Sequence, residues 1–543
     1  MTTSLLSIGS SALGAAQGSL ATVSHNIANA NTPGYSRQQA VLETAGGQFT
    51  GSGFFGQGVN IDTVRRNYDA YLTRAAQSAA STSEADSTRA QGLQALDTLF
   101  GDSENGLGAA TDALFASAGD LASRPADMSA RQTFIARASQ LAARITSVGS
   151  DLVSQQHDAD ASIAGAANDA NSSIATIQRL NVQIAQSEAA GQTPNDLLDQ
   201  RDSALQSLNA QLTVHTVTEK DGSISLFTVT GAPLLVGGQA AKLQAVPDPT
   251  DGSHVALNLV VGGSSQPLDL AALGGGAIAG AAVLRDQDLA AALNQVGRFA
   301  QVVADAFNHQ QSLGLDASGQ PGTAMFNAPA PVALPDARNT GSGTIGAAIA
   351  TSGALKASDY EVAWDGAAWS ITRLSDRQVT SVATLPATVD GIAFSTGGAP
   401  ASGDRWLVRP FAPAAAGIST TAITAQQVAT ADPTATSPSA DNRNALGFAA
   451  LASQPLVDGS TLDDAYASLV GDVGLRVQGA RDAATVSGAL SQEAQSRQQA
   501  VSGVSLDEEA ADLLRFQQAY QASAKIIQAS QTLFESLLAA SGP

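Results

Sequence analysis

The chain has 543 residues, of which 14% are charged and 4% aromatic, with no cysteine and a formal net charge of −21. That length holds several domains. The missing thiols exclude disulfides and cysteine-ligated metals, and the acidic balance repels phosphate backbones, so no nucleic-acid partner is expected. No run approaches the roughly 18 apolar residues that span a bilayer, no basic amphipathic stretch suits a membrane surface, and the first residues lack the pattern of a secretory signal.

From Met1 to Ser36 there is no Asp, Glu, Lys or Arg. Leu6, Leu13, Leu20 and Ile27 recur every seven residues, and Gly9, Ala16, Val23 and Ala30 follow three positions later. This is a heptad seam with large residues at one position and small ones at the other. The spacing predicts a helix from about Ser4, as its cap, to Ala30, stopped by Thr32-Pro33-Gly34. Burying its four large side chains is worth roughly 6–12 kcal/mol. Ordering about 26 residues costs on the order of 1–2 kcal/mol each, so this helix needs a partner.

Residues 36–64 carry many glycines and a short alternation at Val59, Ile61 and Val64, which reads as an irregular, partly β connector. Gly51-Ser52-Gly53-Phe54-Phe55-Gly56 matches a dinucleotide-binding spacing, but no strand enters it and no helix follows, so a turning loop is expected. From Tyr68 to about Leu212 the pattern is helical, with one unusually long stretch from Ser129 to Ala190. His157-Asp158-Ala159-Asp160 reads as a solvated polar stretch of that helix. Gly191-Gln192-Thr193-Pro194 breaks it, and Asn195-Asp196 opens the next helix, where Asp199, Arg201 and Asp202 read as surface ion pairs.

Near Leu212 the period changes to two, with turns at Asp221-Gly222 and Asp251-Gly252, predicting a small β domain in which His215 and His254 have surface or packing roles. Helix returns from Ala277 to Gln311. Prolines 329, 331 and 335 predict a linker, and residues 340–428 a second β domain. There Trp364 and Trp369 bracket the Asp365-Gly366 turn and are expected to build a small core rather than a sugar platform. Gly341 to Gly346 repeats the dinucleotide spacing, again without its context. A polar linker over 430–440 leads to helices over Leu462–Leu475 and Ala480–Leu490.

The C-terminal end answers the first helix. Leu506, Leu513, Tyr520, Ile527 and Phe534 recur every seven residues, flanked by Ala510, Ala524, Leu537 and Leu538. The two seams can pair within one molecule, or pair and also pack against neighbouring copies. No HExxH, Walker A or GxSxG motif occurs, the five histidines are scattered, and Glu508-Glu509 is read as favouring a helix N-terminus. No enzymatic activity, cofactor or metal is expected.

The segment Ser24-His25-Asn26-Ile27-Ala28-Asn29-Ala30-Asn31-Thr32-Pro33-Gly34-Tyr35-Ser36-Arg37-Gln38 resembles the N-terminal motif of flagellar rod, hook and hook-associated proteins. The stretch from Ser502 to Lys525 is similar to the C-terminal helix of that family, and weaker likeness extends to 195–202, 277–322 and 441–450. The Ser-Arg-Gln ending and the Asp507-Glu508-Glu509 run are most similar to hook-associated members.

The resemblance implies an α+β multidomain chain, with a coiled-coil-like helical core formed by both ends and two inserted, mainly β domains. It implies a structural subunit of the bacterial flagellum at the junction of hook and filament, extracellular, exported through the flagellar apparatus without a cleaved signal. Its implied partners are copies of itself, hook protein, a second junction protein and an export chaperone. Leu6, Leu13, Leu20, Ile27, Leu506, Leu513, Tyr520, Ile527 and Phe534 are expected to form the assembly interface, ordering on incorporation. The expected division is 1–36 with 500–543 as assembly helices, and 37–211, 277–328 and 441–499 as a helical rod. The inner and outer β domains are expected at 212–276 and 329–440. The alternatives are another axial protein, such as hook protein or the second junction protein, or a surface adhesin using the β domains.

Overall fold

The computed structural model describes residues 2–50, 53–101, 106–540 and 542. Helix α1 (Thr2–Asn29) starts ahead of Ser4, which lies inside it rather than capping it. The turn that follows holds Gly34 at φ +79°, a conformation that excludes most side chains. Strands β1 (Gln38–Thr44) and β4 (Val59–Arg66) pair antiparallel with a bulge between Val41 and Leu42. They carry a small outer hairpin of β2 (Gln48–Thr50) and β3 (Gly53–Phe55). Gly51 and Ser52 of the dinucleotide-like spacing lie outside the described residues.

Four helices build the rod: α2 (Ala70–Phe100), α3 (Leu107–Ser123), α4 (Met128–Ala189) and α5 (Asn195–Gln211). Asp69 caps α2 by accepting from the Tyr71 and Leu72 amides, and Asp127 caps α4 by accepting from Ser129. At 62 residues α4 is long enough to serve two cores. Its first half, with Phe134, Leu141, Ile145 and Leu152, joins the rod core; Ile163, Ala170, Ile174 and Ile177 join a second core beneath the inner strands.

Those strands are β5 (Val214–Thr218), β6 (Ile224–Thr228), β7 (Pro233–Val236) and β8 (Gln239–Ala240) in one sheet, and β9 (Lys242–Pro247), β10 (Val255–Val261) and β11 (Ser264–Leu268) in another. The chain returns through α6 (Gly276–Val283), a π turn (Leu284–Leu289) and α7 (Ala290–Ser312), one helix with a widened middle.

The outer region starts with β12 (Phe326–Asn327) and β13 (Val332–Pro335). The second of these corrects the expected linker, because residues 332–335 are an edge strand paired with β20 (Arg405–Arg409). An edge tolerates proline because one side of the strand needs no donor. With β15 (Tyr360–Trp364), β16 (Trp369–Arg373) and β17 (Val379–Val382) it forms a five-stranded antiparallel sheet, and β14 (Thr344–Ile349), β18 (Ala387–Val389) and β19 (Ile392–Gly397) form a second of three. Trp364 faces Trp369 across the hairpin with ring centroids 4.9 Å apart, and Trp369 and Trp406 are buried in the core, as expected of packing aromatics.

A short α8 (Ala412–Gly417) then slots between α4 and α7, because Gly149 and Gly297 leave room for its backbone. A Cβ on either glycine would stand 2.3 or 2.1 Å from the carbonyl oxygens of Ala415 and Phe411. After β21 (Ser419–Thr420) the expected polar linker is instead partly built into the core. Val428, Ala429, Thr430 and Ala431 are buried, held by Arg131, which donates to the Val428 carbonyl and Thr430 Oγ1 at 2.6 Å each. Helix α9 (Arg443–Ala450) leads to α10 (Leu462–Ser502), one continuous helix where two were expected, and then to α11 (Leu506–Ala540). Antiparallel α10 and α2 are joined at both ends by Gln498 to Thr73 (3.3 Å) and Arg481 to Asp97 (3.0 Å).

Candidate assembly interface

The two ends of the chain pair: α1 packs along α11 and against the β1–β4 ribbon. The small half of the N-terminal heptad faces inward. Gly9, Ala16 and Val23 are buried with Ala15, Ser19 and Asn26. A Cβ on Gly9 would meet Ile527 Cγ1 at 2.9 Å, and one on Gly18 would meet Ile61 Cδ1 at 2.3 Å, so helix and partners approach to backbone distance. On α11 the buried positions are Glu509, Ser523 and Ser530, again one heptad position and again small or polar.

The large half of the seam lies elsewhere. Leu6 is 44% exposed and Phe534 53%, and Ile27, Leu506 and Tyr520 are also exposed; Leu13, Leu20, Leu513 and Ile527 are half-buried. The expected interface residues therefore separate. Ile527 turns toward α1 of its own chain, and five of the others present apolar surface outward. Leu537 and Leu538, which flank the heptad, and Leu5, Leu514, Ile526 and Leu533, which the heptad reading did not single out, are exposed as well.

Where α1 ends, its polar motif folds into a joint. Asn26 is buried and uses its whole amide: Nδ2 donates to the Gln38 carbonyl (2.8 Å) and Glu509 Oε2 (3.0 Å), and Oδ1 accepts from Tyr35 Oη (2.8 Å) and the Gln38 amide (2.9 Å). Burial first, then the charges of Asp196, Asp199 and Glu509, push the Tyr35 hydroxyl well above its ordinary range and keep it a donor. Arg37 donates from Nε to Glu509 Oε1 (2.6 Å), reaches Glu508 (2.8 Å) and Asp512 (3.4 Å), and its amide bonds the Ser502 carbonyl (2.8 Å). Glu509 is only 1% exposed, so it is a buried acceptor binding α1, the connector and α11 together, a role its place in a helix first turn does not reveal.

The joint continues onto α5. Asp199 accepts from the Ser36 amide (3.0 Å) and Arg66 (2.9 Å), and Arg66 also donates to Asp202 (2.6 Å). Gln38 donates to Asp196 (2.9 Å), and Asn195 to the Val64 carbonyl (2.7 Å). Asp199 and Arg201 are thus buried rather than surface pairs, and Arg201 donates to the Gly222 carbonyl at 2.7 Å. Burial raises the Asp202 carboxyl above its usual range, against the opposing pull of Arg66. His25 stands edge-on to Tyr35 and 3.5 Å from Asp196. Asp160 and His254 also depart from expectation, for they bond one another at 3.0 Å in a partly buried cluster. No group of three or more His, Asp or Glu that could hold a metal ion occurs among the described residues, nor does any helix there have the length and apolarity to cross a membrane.

The two end helices meet through small residues, carry exposed apolar side chains outside that contact, and join the rod through a buried polar cluster. Known proteins share these end segments and the regions between them. Residues 6–35 match the profile of the flagella basal body rod protein, and 497–540 that of the flagellar basal body rod FlgEFG protein C-terminal region, which sets the class as flagellar axial proteins. Residues 93–326 match the flagellar hook-associated protein FlgK helical domain, and 334–410 the flagellar hook-associated protein 1 D2-like domain. Flagellar hook-associated protein 1 of Salmonella typhimurium is 33% identical over 98% of this chain and 99% of its own length; that of Escherichia coli K12 is 31% identical with the same coverage. The chain belongs to the flagellar hook-associated protein 1 family. Its fold matches the solved flagellar hook junction protein FlgK from Burkholderia pseudomallei with a TM-score of 0.74, at 24% identity, over 79% of this chain and 100% of that one.

Proposed function

We propose that this chain is a structural subunit of the bacterial flagellum, placed between hook and filament, which polymerises through the outward stripe of its paired terminal helices. The observation that carries the reading is the set Leu6, Ile27, Leu506, Tyr520 and Phe534, exposed on helices whose mutual contact is already filled by Gly9, Ala16, Val23 and Ser523. These side chains are already about half covered, so a neighbour that buries the rest adds about half of the roughly 1.5–3 kcal/mol of a full burial for each. Copies of the same chain cover it laterally, hook protein and a second junction protein cap the two ends of the zone, and an export chaperone shields the stripe beforehand. The subunit works outside the cell after passing through the flagellar export apparatus, and no enzymatic step is part of the role.

Electron microscopy of cells lacking the gene tests the placement. Hooks without filaments, with flagellin lost to the medium, are expected; intact filaments would overturn it. Phe534→Asp and Leu6→Asp test the stripe. Both are expected to keep the helix content of the isolated chain and to fail to incorporate, whereas normal incorporation of both would remove the stripe from the interface.

A further inference from the structure

The helix from Gly276 to Ser312 widens to a π turn at Leu284–Leu289, and two charged side chains of that turn are buried on opposite sides. Arg285 donates to Asp160 Oδ1 of α4 (2.5 Å) and to the Val255 carbonyl of β10 (2.7 Å), and its Nε to Asp286 (2.7 Å). Asp160 also accepts from the Val255 amide (3.0 Å). Asp288 accepts two bonds from Arg89 of α2 (2.7 and 2.9 Å) and one from Arg476 of α10 (3.2 Å), which Asp472 steadies at 3.0 Å.

In an α-helix, residues three apart lie about 60° apart around the axis, so Arg285 and Asp288 would face nearly the same side. A turn closed by i→i+5 bonds carries roughly 4.4 residues, which opens that angle to roughly 115°. The widening lets one helix tie α4 and β10 on one side and α2 and α10 on the other. Close packing sets its depth. A Cβ on Gly280 would stand 2.3 Å from the Ala85 carbonyl oxygen, and one on Gly92 2.0 Å from Leu284 Cδ2. The extra residue is taken up on the outer side, where Asp286 and Gln287 are exposed.

We propose that this π turn is a coupling element between the inner β strands and the α2–α10 pair, maintained because both buried clusters can be satisfied only in the widened geometry. Loss of either cluster lets the turn relax toward α and swings the other charged group off its partners. The α2–α10 pair ends at the joint, where Gln498 meets Thr73 and the Ser502 carbonyl meets Arg37, and the inner strands are tied to the outer sheet by Arg409 and Asp251 (2.8 Å). A displacement of the β regions is thereby passed to the elements that hold the terminal helices. The coupling itself does not depend on the assembly reading.

Hydrogen exchange on the full chain tests it. Asp288→Asn is expected to speed exchange at Leu257 and Leu259 of β10, on the far side, by about tenfold or more, within the usual range of coupling between sites. Arg285→Gln is expected to do the same near Arg89 and Arg476. The double variant should exceed the larger single effect only slightly. Effects confined to each variant's own side, with the far side left at the parent's rate, would overturn the proposal.

Discussion

Replacing Glu509 with glutamine tests the joint with the least change of shape. One carboxylate oxygen accepts from Arg37 Nε at 2.6 Å and the other from Asn26 Nδ2 at 3.0 Å. A glutamine oxygen can keep one bond, but its amide then points a donor at the donor of Asn26. Asn26 cannot turn over to answer it without giving up Tyr35 and both backbone groups of Gln38. Breaking a buried pair typically costs about 3–5 kcal/mol. Here Arg37 keeps Glu508 and Asp512, so the lower figure for a charged hydrogen bond, about 2–3 kcal/mol, applies. At 1.4 kcal/mol per tenfold, exchange of the Gln38 and Arg37 amides should rise by roughly 30- to 150-fold. Glu508→Gln is the internal comparison: its side chain is exposed and its ion pair is worth at most about 1 kcal/mol. If the two variants exchange alike, within about threefold of the parent, Glu509 does not hold the joint.

Gly9→Val should push α1 off α11, because its first added carbon already meets Ile527 at 2.9 Å; a loss of about 1–3 kcal/mol is expected, read as lower helix content of the ends on heating. Trp406→Ala should destabilise the outer sheets by about 3–5 kcal/mol and remove their near-ultraviolet signal, leaving exchange in α1 and α11 unchanged. Asp160 supplies a pH prediction. Burial pushes its carboxyl up, but bonds from His254, Arg285 and the Val255 amide outweigh it and hold the carboxyl below the usual range. A depressed folded value gives stability that is complete above the unfolded value, about 3.9, and lost as pH falls through the lower folded one. Protection of β10 should therefore fall on acidification below about pH 4, and Asp160→Asn should flatten that dependence.

The parts of the fold carried by local periodicity were legible in the sequence. The terminal helices, the long helix over 129–190, the change to period two near Leu212 and the Trp364–Trp369 hairpin all follow from spacing and turn residues. What depends on distant partners was not. Asn26 and Glu509 are 483 positions apart, and nothing near either names the other. Asp199, Arg201 and Asp202 have the spacing of an exposed helical ion network, yet Asp199 is buried where Ser36 and Arg66 dock on α5, and Arg201 where it reaches the Gly222 turn. The π turn leaves no mark in composition, since Arg285 and Asp288 at i,i+3 also fit an ordinary surface pair.

The heptads show most clearly what a period can and cannot say. A seven-residue repeat fixes which residues share a stripe, but not whether that stripe meets the same chain or another. In a monomer alone, leucine should turn inward and glycine, alanine and serine outward, since the large side chains gain more from burial. Here the order is reversed. Gly9 and Ala16 meet the partner helix, while Leu6, Tyr520 and Phe534 remain outside. Small residues let α1 and α11 approach closely enough to act as one two-helix unit at little expense of apolar surface. On the proposed assembly the large residues are left for a contact made on incorporation, and the apolar gain falls on assembly rather than on folding. Exchanging the roles, with Ala16→Leu and Leu6→Ala in one chain, separates the two steps. The pair should splay in the monomer because a buried small position is overfilled by about 1–3 kcal/mol. Incorporation should weaken even if the helices still form. A monomer made more stable by the exchange would show that the inward stripe is not closely packed, and would refute this division of labour.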